Sequence, residues 1–368
     1  MALVKISTFH DWTDLFLAWQ KDIGLDHPLV RQFKFETKFG DLQREYIEFG
    51  EFAGQPKWGK VMDIPNQQIR DTLLNLIVYQ GDTEFASVEQ QRRLFETAPS
   101  DYDLQALGRV MSEEMRHGWQ MCHLLVEHFG YTGKVEAQKQ LERRSWKKQR
   151  LLGSFNEDVD NWLDFYVYTD FVDRDGKFQL KMLSCSAFAP LARSMGPMLQ
   201  EEAYHLKTGQ TGLRRILRAG RIPSPVVQRY LNKWIPTAYD LFGTDHSSTA
   251  HRCYVWGLKG RFNEDSSAPD LDALNQAARE IYHQEVIGLV NQLNNLVPEG
   301  QPRLYAPDLK FHRAIGDFAG QPCSVTGERL EPEAYEKHLR EFLPTPEDAR
   351  LLEGLFKEAG WIAPPEAA

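Results

Sequence analysis

Two Glu-x-x-His motifs, Glu114 to His117 and Glu202 to His205, each interrupt an apolar helical stripe and not a wet face. In the first, Leu107, Val110, Met111, Glu114, His117, Met121 and Leu124 recur at spacings of three and four. In the second, Phe188, Leu191, Met195, Met198, Glu202, His205 and Leu206 do the same. Residues so spaced share one helical face, so each stripe carries a carboxylate and an imidazole into a core. A buried, unpaired carboxylate is costly, and two such pairs at one spacing point to a compensating cation. The chain must therefore gather long helices around a polar, metal-ligating centre.

The periodicity predicts helices over about 65–95, about 104–129 with a stop at Gly130, about 157–175 and about 177–207, then at about 223–242 and 269–296. Ser100, Asp101 and Asp103 are cap-competent before the second. Asp175, in Arg174-Asp175-Gly176, reads as part of a helix-ending or kinking turn. Residues 1–64 read as a flank: an amphipathic stretch from Trp12 to Trp19, then alternating apolar residues from Phe33 to Phe52 that suit a short hairpin. From Pro298 the chain is rich in Pro and Gly, which suits an extension over 298–368 that wraps the helices of 65–297. The expected fold class is all-α, a four-helix bundle with additional helices. One echo, Gly50-Glu-Phe-Ala-Gly-Gln-Pro56 against Gly316-Asp-Phe-Ala-Gly-Gln-Pro322, reads as two loops of like turn chemistry, since nothing around either copy repeats.

Composition excludes several classes. Lys+Arg of 43 against Asp+Glu of 52 gives a net charge of −9, opposite to the footprint of a nucleic-acid binder. No apolar run approaches the roughly 18 residues of a membrane helix. The N-terminus meets His10, Asp11 and Asp14 before a signal-peptide core can form, so the expected location is cytoplasmic. The four cysteines are far apart and form no C-x-x-C, which argues against zinc ribbons, iron–sulfur clusters and a disulfide framework.

A bundle site for two metal ions takes a Glu-x-x-His from each of two helices and one carboxylate from each of the other two. In the first helix Leu73, Ile77 and Gln80 lead to Glu84, 30 residues before Glu114; Glu89 and Glu96 lie further along and suit a solvated end. In the third, Asp173 lies 29 residues before Glu202, with Asp170 the second candidate. Hard oxygen donors hold ferric iron, and one imidazole per metal leaves positions open for dioxygen. Gln80, one turn before Glu84, is placed to hydrogen-bond a ligand or a substrate carbonyl; a buried amide bonded to backbone is the plainer reading.

The stretches QGDTEFASVEQQRRL at 80–94, EEMRH at 113–117, DRDGKFQL at 173–180, AFAPLAR at 187–193, EEAYHLKTG at 201–209, FAGQP at 318–322 and GWIAPP at 360–365 carry a resemblance. The chain resembles the benzoyl-CoA/phenylacetyl-CoA epoxidase family of oxygenase components, and favours the benzoyl-CoA branch. The resemblance spans most of the chain, with departures at Tyr204 and Val172. It implies a ferritin-like fold and a di-iron oxygenase with Glu84, Glu114, His117, Asp173, Glu202 and His205 as ligands to two iron ions. It further implies epoxidation of the ring of an aryl-CoA thioester with dioxygen, using NAD(P)H electrons delivered by a partner reductase.

Coenzyme A supplies remote binding energy to orient a featureless ring. Arg143, Arg144, Lys147, Lys148 and Arg150 form one basic segment suited to its phosphates, and Arg214, Arg215, Arg218 and Arg221 another; a solvated face is the commoner meaning of each. Three readings compete with an epoxidase: a ferroxidase or iron-binding protein, a scaffold protein without metal, and a tyrosyl-radical protein using Tyr166, Tyr168 or Tyr204.

Overall fold

The computed structural model describes residues 6–365 except 26, 32, 33, 35, 265 and 266. Met1–Lys5 of the N-terminal stretch, Phe33 and Phe35 of the alternating segment and the last three residues of the tail lie outside the described residues. Among the described residues the regular elements are helices: α1 (Phe9–Asp22), α2 (Pro28–Arg31), α3 (Gln67–Gln91), α4 (Asp101–His128), α5 (Gly130–Glu142), α6 (Trp162–Leu183), α7 (Ala189–Ala219), α8 (Ser224–Leu241), α9 (Ser248–Val255), α10 (Leu274–Leu293), α11 (Pro332–Phe342) and α12 (Pro346–Leu355). None is long and apolar enough to cross a membrane. The chain divides into two compact units, one of Met1–Asp160, Leu180–Glu201 and Thr249–Ser266, the other of Asn161–Gln179, Glu202–Ser248 and Ser267–Ala368.

In the first unit α3 and α4 run antiparallel. A Cβ on Gly81 would lie 3.1 Å from Met121 Cβ, and one on Gly118 would lie 2.6 Å from the Phe85 ring, so the bare backbone of Gly118 seats that ring. The α4 N-terminus is capped as its sequence implies, with Ser100 Oγ accepting from Asp103 N at 3.3 Å. α1 carries a Thr8 capping box and buries Trp12, Phe16 and Trp19. The last two of these pack on Phe85 at ring-centroid distances of 6.2 and 5.1 Å.

Of the alternating segment read as a hairpin, the described residues pair antiparallel only near its end, where Ile47 N–H donates to Gln55 O (2.8 Å) and Lys57 N–H to Glu45 O (3.0 Å). Its earlier backbone is engaged elsewhere: Lys38 N–H donates to Gln120 Oε1 (2.7 Å) and Gly40 N–H to Arg193 O (2.8 Å). The second bond has a cause in the sequence. Pro197 lies inside α7 and has no N–H for the Arg193 carbonyl, and Gly40 supplies the missing donor. A single antiparallel bridge, Tyr46 with Pro56, closes around the Gly50–Pro56 loop. That loop and its echo share geometry: Gly50 and Gly54, like Gly316 and Gly320, adopt positive φ, and Ala53 N donates to Gly50 O as Ala319 N does to Gly316 O.

The third helix passes straight through the Arg174-Asp175-Gly176 stretch read as a turn, and the break falls later, at 184–188. Gly176 is there for space: a Cβ would lie 3.4 Å from Glu202 Oε1. The real break is fixed by the flank, through Trp58 N–H to Ala187 O (2.8 Å) and Lys57 Nζ to Cys185 O and Ser186 O (2.8 and 2.7 Å).

In the second unit, residues 162–179 of α6 and 202–219 of α7 also run antiparallel, at closer range. A Cβ on Gly209 would overlap the Asp170 backbone nitrogen, and one on Gly212 the Tyr166 ring. At an open helical position Gly→Ala gains about 1 kcal/mol. At Gly209 the sign reverses, because backbone cannot move aside as a side chain can. Gly209→Ala is expected to cost about 2–3 kcal/mol in urea denaturation. The tail docks within this unit: Arg215 exchanges two hydrogen bonds with Ala363 backbone (2.7 and 3.1 Å), and Arg229 pairs with Asp348 of α12. The helices α5, α11 and α12 were not legible in the periodicity.

Candidate metal centre

Of the carboxylates and imidazoles singled out in the sequence, Glu84, Glu114 and His117 converge in the first unit. They are buried, and their ligand atoms lie within 4.8 Å of one another. The α3–α4 contact at Phe85 and Gly118 brings them together, since Glu84 precedes the ring and His117 precedes the glycine that seats it. Glu84 Oε2 lies 3.3 Å from His117 Nδ1, and Glu84 Oε1 accepts from Gln80 Nε2 at 2.6 Å. Glu114 hydrogen-bonds to Glu84 as well. Burial pushes the Glu84 carboxyl up, but the imidazole and its hydrogen-bond donors outweigh this and hold it below its ordinary value. Burial pushes His117 down, and Glu84 with a second carboxylate outweighs it, so the imidazole is held above its ordinary value.

In the second unit Asp173, Glu202 and His205 are likewise buried. His205 Nδ1 lies 3.3 Å from Glu202 Oε2, and ligand atoms of Asp173 and His205 lie within 4.8 Å of each other. Here the bare backbones of Gly176, Gly209 and Gly212 set the approach of the two helices. Each unit thus holds two buried carboxylates and one fully buried imidazole. Hard oxygens with one nitrogen per group are a donor set suited to a first-row metal ion such as iron. Two buried carboxyls beside a single imidazole can both stay charged only with a cation among them; without one, the Glu84–Glu114 hydrogen bond needs a proton between the two.

The rejected candidates have other partners. Glu89, expected at a solvated end, is fully buried and accepts from Trp19 Nε1 (3.1 Å) and Ser145 N (2.7 Å). Asp170 pairs with Arg174 Nη2 at 2.6 Å, and Asp175 accepts from Gln179 Nε2 at 2.9 Å. Tyr166 packs on Trp162 and Tyr168 on Trp234.

Sequence reasoning missed Glu201. It lies 2.9 Å from His117 Nε2, and it accepts from Arg116 Nε (2.8 and 3.0 Å) and Arg116 Nη2. The available signal was adjacency, for Glu201 precedes one candidate ligand and Arg116 another.

The first basic segment is a solvated face only in part: Lys147 and Lys148 are exposed, while its arginines are engaged in ion pairs. Arg150 is fully buried between Asp82 (3.1 Å) and Glu89 (2.8 Å), Arg143 also pairs with Asp82 (3.2 Å), and Arg144 pairs with Asp22. Lys148 donates to the Asn156 carbonyl. In the second segment Arg215 is buried on the tail and Arg221 pairs with Glu358.

The family model described as phenylacetic acid catabolic protein matches residues 60–307. Benzoyl-CoA oxygenase component B of Aromatoleum evansii is 38% identical over 374 aligned residues, covering 87% of this chain and 78% of that protein. One of the subunits of the 1,2-phenylacetyl-CoA epoxidase of Escherichia coli (strain K12) is 22% identical over 251 residues, covering 68% and 74% respectively.

Proposed function

The chain belongs to the phenylacetic acid catabolic protein family, as an oxidoreductase with that family's ferritin-like helical fold, and from that premise we propose that it is the di-iron oxygenase component of an aryl-CoA epoxidase. The observation that carries the reading is the repeated group of two buried carboxylates and one buried imidazole, Glu84, Glu114 and His117 in one unit and Asp173, Glu202 and His205 in the other. In this reading the six side chains hold two iron ions. The substrate is the thioester of an aromatic acid, benzoyl-CoA first and phenylacetyl-CoA second. A partner reductase passes electrons from NAD(P)H, and the protein works in the cytoplasm.

Iron, when bound, supplies the means to activate dioxygen by two-electron reduction. The chain's own residues do the rest. Gln80 holds Glu84 through Oε1, which leaves Oε2 on the side of His117. Phe85, Met111 and Met121 exclude water, which protects an oxidant from wasteful side reaction. One oxygen atom enters the ring as an epoxide, and the other leaves as water after taking two electrons and two protons.

The test is a single turnover. Iron-loaded protein is chemically reduced and exposed to ¹⁸O-labelled dioxygen with benzoyl-CoA and phenylacetyl-CoA in competition, and the thioesters are weighed by mass spectrometry. One labelled atom in benzoyl-CoA is expected. Iron oxidised with no label in either thioester would replace this reading with ferroxidase activity.

A further inference from the structure

We propose that Glu201 is the positioning residue for His117: it accepts a hydrogen bond from Nε2–H of the ring and so aims the Nδ1 lone pair at the space beside Glu84, where a metal ion would sit. The inference rests on the metal reading above and adds a residue to it. Imidazole has two distinct nitrogens, and the hydrogen bond at one decides which tautomer the other presents. His117 is fully buried, with Nε2 2.9 Å from Glu201 Oε2 and Nδ1 3.3 Å from Glu84 Oε2. The ring is therefore held from both ends.

Glu201 is itself held. Arg116 grips it through Nε and Nη2, and Lys38 Nζ reaches Oε1 at 2.8 Å. A carboxylate tied to two cations cannot swing round to become a ligand, so it stays as a fixed acceptor. The placement follows from helical geometry. Arg116 and Glu201 each sit one residue before a candidate ligand, about 100° around the helix from it. That step turns both side chains off the ligand face and toward each other. A cavity of about 300 Å³, with Lys38, Arg109 and Ser112 among its walls, opens onto the Arg116–Glu201 pair, whereas the His117 ring is sealed beneath it.

The competing role for Glu201 is that of a counter-ion to Arg116. Two variants of the full chain separate the roles. Glu201→Met removes the acceptor but strands the Arg116 charge, which threatens folding. The double variant Arg116→Met with Glu201→Met removes both buried charges together and leaves Lys38, half-exposed and paired with Glu36, so it folds without a buried stranded charge. Each is titrated anaerobically with ⁵⁷Fe(II), with binding followed to saturation and Mössbauer spectra recorded.

Both variants are expected to lose 10- to 100-fold in affinity for one of the two ions. One quadrupole doublet should change while the other stays. Wild-type affinity and spectrum in the double variant would overturn the positioning role and leave a counter-ion. Equal loss of both ions with helix content intact would overturn it too. A wild-type chain that binds no iron pair would overturn the metal reading itself, and this inference with it.

Discussion

Glu114→Leu is expected to yield a chain that is harder to unfold than the wild type in the absence of metal, yet takes up no iron pair. Glu114 is a buried carboxylate in hydrogen-bonding contact with Glu84, and His117 is the imidazole within reach of both. Without a cation, Glu84 and His117 balance each other, and Glu114 is a buried carboxyl whose hydrogen bond to Glu84 needs a proton between the two. Replacing a buried ionisable group by an apolar side chain of similar volume is often stabilising, here by about 1–2 kcal/mol. Iron uptake moves the other way, because one hard donor is gone from a set of three. His205→Ala should lose iron in the same manner. Turnover should fall by more than about 100-fold in each, a larger loss than outer partners of metal ligands produce. Metal content by mass spectrometry and urea denaturation with chelator check the two halves. Full iron in both variants would sink the site.

Arg150→Met is expected to lower stability by about 3–5 kcal/mol, because it removes the buried cation that neutralises the fully buried Glu89 and leaves Asp82 with Arg143 as its remaining cation. Arg150 is fully buried and joins Asp82 of α3 to Glu89 further along the same helix, while also donating to the Gln140 carbonyl of α5 at 3.1 Å. The prediction also decides between uses of the basic segment. A residue gripping coenzyme A phosphates would raise KM with stability unchanged, whereas a buried ion-pair hub lowers stability and leaves KM of the surviving folded protein as it was. Chemical denaturation beside steady-state kinetics makes the distinction.

Legibility in the sequence is uneven for physical reasons. Glu114, His117, Glu202 and His205 stood out because a helical period registers polar groups as interruptions of an apolar stripe. Glu84 and Asp173 followed from spacing, since an antiparallel neighbour must place its partner a helix length away. Gly176 misled because glycine has two uses, ending a helix or letting something come close, and only the approach of Glu202 tells which. The burial of Arg150 was invisible because its acids, Asp82 and Glu89, lie about 60 residues earlier. Glu201 was hidden by its neighbour: beside Glu202 it reads as a wet-face residue, and its partner Arg116 lies far off in sequence.

The contacts that set the α3–α4 register lie mid-helix, at Gly81 with Met121 and Phe85 with Gly118, well away from the 92–100 connection. Register is thus stamped by the interface and not inherited from the turn. Homologues should tolerate length drift between Phe95 and Ser100, while a single residue gained or lost between Phe85 and Gln91 leaves the candidate ligands alone but one inserted between Gly81 and Glu84 rotates Glu84 by about 100° off the shared face. Indels in this lineage should accordingly gather at the connection and vanish from one short stretch of α3.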